Sequence, residues 1–419
     1  MAARRTALRV AASAVEQKLN ADTSDYAGHH LVCPNCQHEA TYAGRHPKTF
    51  TSALGDITGV RAYYHCDHCQ TGFFPRDLAL GIALTSLSPA VTRMTGKCAS
   101  MASFEESSTL LGDLAGITVD AKMVERTAEN LGREIADDEE RVVLPAEQVE
   151  IAPTMYLGVD GTGVPVRKEE LVGRKGKQPD GSAKTREVKL CTVWSAEERD
   201  KEGHPRRDAG SISYSAAIES VAMKDTDTIP SEFAARVIRE ATRRGFERAP
   251  RRAVLGDGAK WIWNMADEYF PGAIQIVDRC HAKENLTKAA KAIYGAESPL
   301  AKQKATQLHD ALDEGKIDAI LDCLVSHAAT HEEAKKCHGY VKRNRERMKY
   351  PEFEAQGLCT SSNVVESGCK LAIGTRLKRN GMHWTVAGAD AIIALRCCIL
   401  SGRFEDFWER RSSPLRRAS

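Results

Sequence analysis

Residues 253–286, AVLGDGAKWIWNMADEYFPGAIQIVDRCHAKENL, constrain the fold more than any other stretch, because their apolar pattern reads as strand, helix, strand, helix. Both apolar runs, 253–255 and 273–277, lead to an aspartate, Asp257 and Asp278. The two carboxylates therefore stand at the carboxyl ends of neighbouring buried strands, where open α/β sheets hold their chemistry. An earlier run, 155–159, ends in the same way on Asp160. Three strand ends would bring acids to one sheet edge, and a metal site is the natural reading.

A chain of 419 residues has room for two or three domains, and its net charge of +2 says almost nothing about partners. The charges are uneven, with basic clusters at Arg174, Lys175, Lys177, Lys184 and Arg186 and at Lys342, Arg343, Arg345, Arg347 and Lys349. Such runs are ordinarily solvated faces unless a site lies beside them. No stretch approaches the roughly 20 apolar residues a membrane helix needs, so no membrane partner is expected. The Ala- and Arg-rich amino end lacks acids before Glu16, which suits a transit peptide but reads more simply as an amphipathic helix. Thirteen cysteines, several in close pairs, point to metal in a reducing, cytoplasmic compartment.

The pairs come first. CPNC at Cys33 and Cys36 and CDHC at Cys66 and Cys69 are two knuckles separated by a hairpin-like segment holding Tyr42, Phe50, Val60, Tyr63 and Tyr64. Four thiolates from two such knuckles make a closed tetrahedral zinc site, structural because no coordination position stays open. The competing readings are buried or redox cysteines, or a site in which His38, His65 or His68 replaces one thiolate. From Asp77 to Arg141 the spacing turns helical. SFEESSTLLGDLAGITVDAKMVERTAENLG predicts two short helices joined at Ala115 and Gly116, with Thr118 capping the second. Helix-turn-helix spacing would set Asp120, Lys122, Glu125 and Arg126 outward, with Lys122 and Arg126 available to DNA, although most such pairs are only packing units.

After a charged hinge at 137–141 and a linker over 142–153, the third section opens with MYLGVDGTGVPV. Strand-like segments at 188–194 and 210–216 follow, with a basic glycine-rich loop at 173–184 between the first two, then a helix around 231–244. Three strands, helix, strand, helix, strand is the order of an RNase H-like domain, whose first and fourth strands present acids, here Asp160 and Asp257. A third carboxylate normally comes from a later helix. CTSSNVVESGCKLAIGTRLKRNGMHWT offers Ser361 or Ser362 as a cap, Val364, Val365, Cys369 and Ile373 at helical spacing, and Glu366 among small residues. By chemistry alone, Glu366 competes with other glutamates.

CPNC and CDHC, MYLGVDGTGVPV, LGDGAKWIWN, VDRCHAKENL, VVESGCK, RLKRNGMHW and ADAIIALR together resemble the bacterial insertion-sequence transposases of the Kra type, within the Mutator-like group of DDE transposases. The likeness runs from about Leu19 to Trp408. It implies a catalytic triad of Asp160, Asp257 and Glu366 on an RNase H-like core, with Asp278 and His281 matching the group's Asp-x-x-His element beside the active site. Two positions depart from the pattern: Gln37 stands where knuckles often carry glycine, and Asn363 where a small residue is expected.

Phosphodiester cleavage followed by joining of the freed 3′ end calls for two Mg²⁺ (or Mn²⁺) ions about 4 Å apart, and hard oxygen ligands suit them. Asp160 would serve both ions, with Asp257 and Glu366 each completing one shell. Arg376, Lys378 and Arg379 would face the DNA backbone. Trp384 offers a stacking surface, but core tryptophans are commoner. The expected fold class is α+β and multidomain: a helical arm over 1–30, a zinc-ribbon-like module over 31–77, a helical DNA-recognition segment over 78–141, a catalytic domain over 151–400 with a helical insertion at about 285–350, and a basic tail over 401–419. Double-stranded DNA is the expected partner, and paired DNA ends suggest a homodimer or larger oligomer. The alternatives are a non-catalytic zinc-dependent DNA-binding protein and an RNase H-like nuclease.

Overall fold

A long hairpin dominates the first part of the chain because β-branched and aromatic residues alternate on both sides of a tight turn closed by Gly55, whose φ of 120° suits glycine. The computed structural model describes residues 2–141, 150–174, 183–220, 230–361 and 363–412. Outside them lie positions 142–149 of the expected linker, most of the 173–184 loop with Lys175 and Lys177, Ser362, and positions 413–419 of the expected tail. The chain divides into two units, Met1–Asp138 with Gly402–Ser419, and Glu139–Ser401. Both mix helices with sheet, and the four-cysteine group lies near the amino end.

In the first unit, α1 (Ala2–Ala21) precedes β1 (His30–Val32), β2 (Glu39–Ser52), β3 (Gly55–Cys66) and β4 (Thr71–Phe73), which form an antiparallel sheet in that order. A bulge between Tyr42 and Arg45 shifts the β2–β3 register. Cys33, Ala40, Ala62, Tyr64 and Cys66 form one small core, and Phe50 and Ile57, directly opposite each other, form another with Ala12 and Ile82. Neither is large.

Buried charges join these pieces. Asp25 accepts from Arg45 at 2.9 Å, Arg76 at 3.0 Å and the Ala62 amide at 2.7 Å, while Arg76 Nη1 also donates to Leu19 O at 2.7 Å. Asp77, in α2 (Pro75–Leu80), pairs with Arg61 and Lys48. Asp25→Ala is expected to cost about 3–5 kcal/mol, because the buried Arg76 would lose its closest carboxylate and keep only the more exposed Asp22 at 3.8 Å. Chemical denaturation checks it; a loss below 1 kcal/mol would contradict the argument.

Helices follow where caps dictate. Ser88 caps α3 (Pro89–Met101), and Ser103 with Glu106 makes a capping box for α4 (Phe104–Leu110). A π turn, Leu111–Ala115, then ends on Gly116 at φ 71°. The second helix, α5 (Ala121–Arg141), runs 21 residues and is not short. Its first turn is served by Asp120, whose Oδ1 accepts from the Met123 amide at 2.9 Å, in place of the expected Thr118. Burial of Ile117 and Val119 holds the intervening chain extended and delays the helix. The stretch expected as a basic tail is helical over Phe404–Ser412. Arg410 binds the buried Asp138 at 2.7 Å, Arg411 binds Glu134 at 2.6 Å, and Glu405 pairs with Arg93 and Lys97.

The second unit is built on a five-stranded sheet. In chain order come β5 (Thr154–Pro165), β6 (Thr185–Ser195), a ribbon of β7 (Glu198–Arg199) and β8 (Pro205–Arg206), β9 (Ser213–Ala217), α6 (Glu232–Arg244), β10 (Arg251–Gly256), α7 (Lys260–Tyr269) and β11 (Ile274–Val277). The sheet order is β11-β10-β5-β6-β9. β5, β6 and β9 run antiparallel, and β10 and β11 run parallel to β5. Near-continuous apolar runs in β5, β6 and β10 fit strands covered on both faces. α8 (Arg279–Tyr294), α9 (Pro299–Asp313), α10 (Ile317–His327), α11 (Glu332–Asn344) and α12 (Tyr350–Ala355) follow. Next is the helical run 363–377, made of α13 (Asn363–Gly368), a π turn (Cys369–Gly374) and α14 (Thr375–Leu377), and then α15 (Val386–Leu400). Among the described residues no helix is long and apolar enough to cross a membrane.

Candidate functional site

Strand register decides where the acids meet. Leu255 of β10 pairs with Gly158 of β5 in parallel, so Asp257 and Asp160, each two residues further on, stand level; Asp257 follows the end of β10, but Asp160 lies within β5, which runs on to Pro165 beside β6 instead of ending at the acid as expected. Alternation puts Asp160 on the same face as Gly158. That face is covered by the run 363–377. A Cβ on Gly158 would lie 2.2 Å from Val365 Cγ2, and one on Gly368 would lie 3.0 Å from Leu190 and Tyr214, so glycine on both partners lets helix and sheet approach closely. Gly158→Ala is expected to cost about 1–3 kcal/mol through overpacking against Val365 and Trp194. An unchanged melting temperature would contradict the contact.

Asp160 is half buried. Its Oδ1 accepts from the Gly161 amide at 2.7 Å, and its Oδ2 from the Cys369 thiol at 3.5 Å. Burial pushes its carboxyl above the ordinary value and the charge of Asp257 adds to this, while the Gly161 and Cys369 hydrogen bonds and His281 pull the other way. Asp257 turns the chain into α7, accepting from the Ala259 amide at 2.8 Å across Gly258, whose φ is 94°. Asp278 is buried and caps α8, accepting from the Cys280 and His281 amides at 2.7 and 3.1 Å. Glu366 stands on α13 and is exposed. Among the described residues the groups with ligand atoms within 4.8 Å of one another do not include Asp160, Asp257 and Glu366, so the fold does not draw these three carboxylates together to that distance.

Nothing in the sequence marked the residues that fix the Asp257 turn. Tyr340 donates its hydroxyl to Asp257 O at 2.9 Å, and its ring fills the space where a Gly258 Cβ would be. The buried Asn344 accepts from Trp263 Nε1 at 2.8 Å and donates to Gly258 O at 3.3 Å. Both come from α11, far along the chain, and only the need of a buried indole N–H for an acceptor hinted at a partner.

The basic residues divide. Arg376, expected to face DNA beside Lys378 and Arg379, is fully buried, with its guanidinium 5.1 Å from the Trp384 ring centre and Nη1 3.5 Å from Met382 Sδ. An aromatic face and a thioether accommodate the planar cation that sequence reasoning assigns to a surface. Lys378 and Arg379 are exposed, and Lys378 donates to Thr162 Oγ1, two residues beyond Asp160. Trp384 is a core residue, its Nε1 donating to Leu377 O at 3.0 Å. In the first unit Lys122 pairs with Glu125 at 2.6 Å. Arg126 is exposed and, with Lys48, Asn130 and Arg133, lines a groove of about 970 Å³.

Cys33, Cys36, Cys66 and Cys69 place all four sulfurs within 4.8 Å of one another, with Cys33–Cys69 and Cys36–Cys66 at 3.6 Å. This group can hold a structural zinc ion. Gln37 and Gln70, each following the second cysteine of its knuckle, adopt φ of 63° and 54°, so the tight turn is made without glycine. Thr71 and Asn35 hydrogen bonds pull the Cys69 thiol down to about 5. Although the His38 amide favours its thiolate, burial and the other sulfurs push Cys36 up to about 12. Four sulfurs this close lose their protons together only when a cation takes the charge. His38 and His68 stack at 3.5 Å beside Cys36 and make a second possible ligand group with it.

No protein-family model matches the sequence, and no curated protein matches it. Among solved structures, the Drosophila P element transposase strand transfer complex is similar over 81% of this chain and 84% of that chain, at 11% identity and a TM-score of 0.27.

Proposed function

We propose that this chain is a DNA transposase of the DDE type, resembling the bacterial Kra insertion-sequence enzymes, that cleaves element ends and joins them to target DNA. One observation carries the reading: Asp160 and Asp257 stand level on adjoining parallel strands, on a sheet face covered by the helix that bears Glu366. We read the mixed sheet as an RNase H-like core.

The donor set fits hard divalent cations. Asp160 and Asp257 supply only oxygen, and a carboxyl that burial and a neighbouring carboxylate hold above its usual value is relieved by a nearby cation. Asp160, Asp257 and Glu366 would hold two Mg²⁺ or Mn²⁺ ions, which supply charge stabilisation for the attacking and leaving oxygens of an in-line displacement. The residues of this chain do the rest. Tyr340 and Asn344 hold the Asp257 turn rigid, Asp278 sets the first turn of α8 and with it His281, and Lys378 and Arg379 offer phosphate contacts beside the acid edge. Lys122 and Arg126 of the first unit offer DNA contacts of their own, the zinc module supports that unit, and paired ends call for at least a homodimer.

Cleavage and joining of a labelled fragment bearing the element's ends, with Mg²⁺ or Mn²⁺, tests the proposal. Specific products from the intact chain, lost in Asp160→Ala, Asp257→Ala and Glu366→Ala while DNA binding persists, are expected. Binding without cleavage would mean a non-catalytic DNA-binding protein; cleavage indifferent to the ends would mean a nuclease.

A further inference from the structure

The run that carries Glu366 is interrupted by the π turn Cys369–Gly374, which begins three residues after it. A π turn holds more residues than an α turn and upsets the backbone ladder, leaving carbonyls on that turn in need of other donors. Arg396, from α15, supplies them. Its side chain is buried, with Nε donating to Ala372 O at 2.8 Å and Nη2 to Leu371 O and to Thr375 Oγ1, the last at 2.9 Å. Thr375 in turn donates to Leu371 O at 2.9 Å. Burying a guanidinium is costly, and burial pulls the pKa of Arg396 below its ordinary value, yet its Nε and Nη2 both serve this turn.

The turn is a joint between two fixed segments. Before it, Val365 and Gly368 lock the helix onto Gly158, Leu190 and Tyr214 of the sheet, and Cys369 reaches Asp160. After it, Arg376 and Leu377 are buried and Trp384 holds Leu377 O. At 3.6 residues per α turn, absorbing or expelling one residue rotates one segment against the other by about 100°. Losing the turn must therefore displace one of the two anchored segments, and Glu366 turns with the first of them.

We propose that Arg396 is a positioning residue for strand cleavage: by holding the Leu371 and Ala372 carbonyls it preserves the π turn and fixes the direction in which Glu366 leaves its helix relative to Asp160 and Asp257. The role assigned to Glu366 rests on the transposase reading, whereas the anchor rests on the hydrogen bonds alone.

Arg396→Gln, Arg396→Lys and Thr375→Val in the full chain test it, by cleavage kinetics against DNA and Mn²⁺ and by amide exchange over 369–377. Arg396→Gln is expected to lower kcat by about 10- to 100-fold, the scale of a small misplacement of a reacting group. The half-saturating Mn²⁺ should rise, KM for DNA should hold, and exchange in the turn should quicken. Arg396→Lys should recover part of kcat. Faster exchange with kcat and Mn²⁺ response unchanged would make Arg396 merely structural and overturn the proposal. Should Arg396→Gln fail to fold, the same measurements on Arg396→Lys and Thr375→Val decide, and wild-type kinetics in both overturn it. Absence of cleavage by the wild type would sink the transposase reading instead, and shows itself before any variant is compared.

Discussion

Stripping zinc from protein loaded with it at the four-cysteine group, or replacing Cys66 by serine, is expected to unfold the sheet β1–β4 while β5–β11 keep their protection. The two cores of that sheet are small, one of five buried residues including two of the cysteines and one of four. Cores of that size rarely hold a fold alone, and zinc contributes about 10–16 kcal/mol of apparent binding energy to small structural sites. The buried network of Asp25, Arg76 and Arg45 opposes fraying at one side but adds little net stability, since each charge was costly to bury. Hydrogen exchange resolved by segment, after chelation verified by metal analysis, is the measurement. Retained protection across Glu39–Ser52 and Gly55–Cys66 in zinc-free protein would refute a structural role for the metal.

Asp160→Asn is expected to raise thermal stability at neutral pH and to remove strand cleavage, a loss on the order of 10³-fold or more given what one preorganised electrostatic group contributes. The sign follows from linkage. The folded state holds the Asp160 proton more tightly than the unfolded chain, so stability from this group is full below the unfolded value near 3.8 and is lost as pH rises through the higher folded value. At neutral pH the ionised carboxylate is a net cost, and asparagine removes it. The advantage of the variant should shrink as pH falls toward 3.8 and below. Mg²⁺ or Mn²⁺ should raise the melting temperature of the wild type and leave Asp160→Asn unmoved. A variant less stable than wild type at pH 7, or equally responsive to the cation, would show that Asp160 plays a structural part only.

Much of the architecture is legible in the residues. Apolar runs leading to Asp257 and Asp278 mark the ends of β10 and β11, whereas the run leading to Asp160 does not end its strand, because β5 continues to Pro165 in register with β6. The cysteine pairs announce their own meeting, since the chemistry of thiolates and the spacing of the knuckles leave few other arrangements. What stays hidden depends on partners distant in sequence. Arg376 looks like a surface residue within a basic run, and its burial becomes intelligible once the fold brings Met382 and Trp384 against it. Thr118 and Asp120 are equally good caps by residue type, and the choice falls to Asp120 because Ile117 and Val119 pack first. The π turn after Glu366 has no signature in the local sequence, for its carbonyls are answered from Arg396 in another helix.

The first unit is discontinuous, and this has a consequence for how the chain is made. Arg410 reaches the buried Asp138 at a sequence separation of 272, and Arg411 reaches Glu134 at a separation of 277. During translation α5 leaves the ribosome long before Arg410 and Arg411 are made, so these two ion pairs form only after the whole β5–β11 unit has been synthesised. The β5–β11 unit, uninterrupted from Glu139 to Ser401, can mature in the meantime. A unit begun before β5 is thus completed only after α15, and a chain cut before Gly402 would leave α5 without its closing helix.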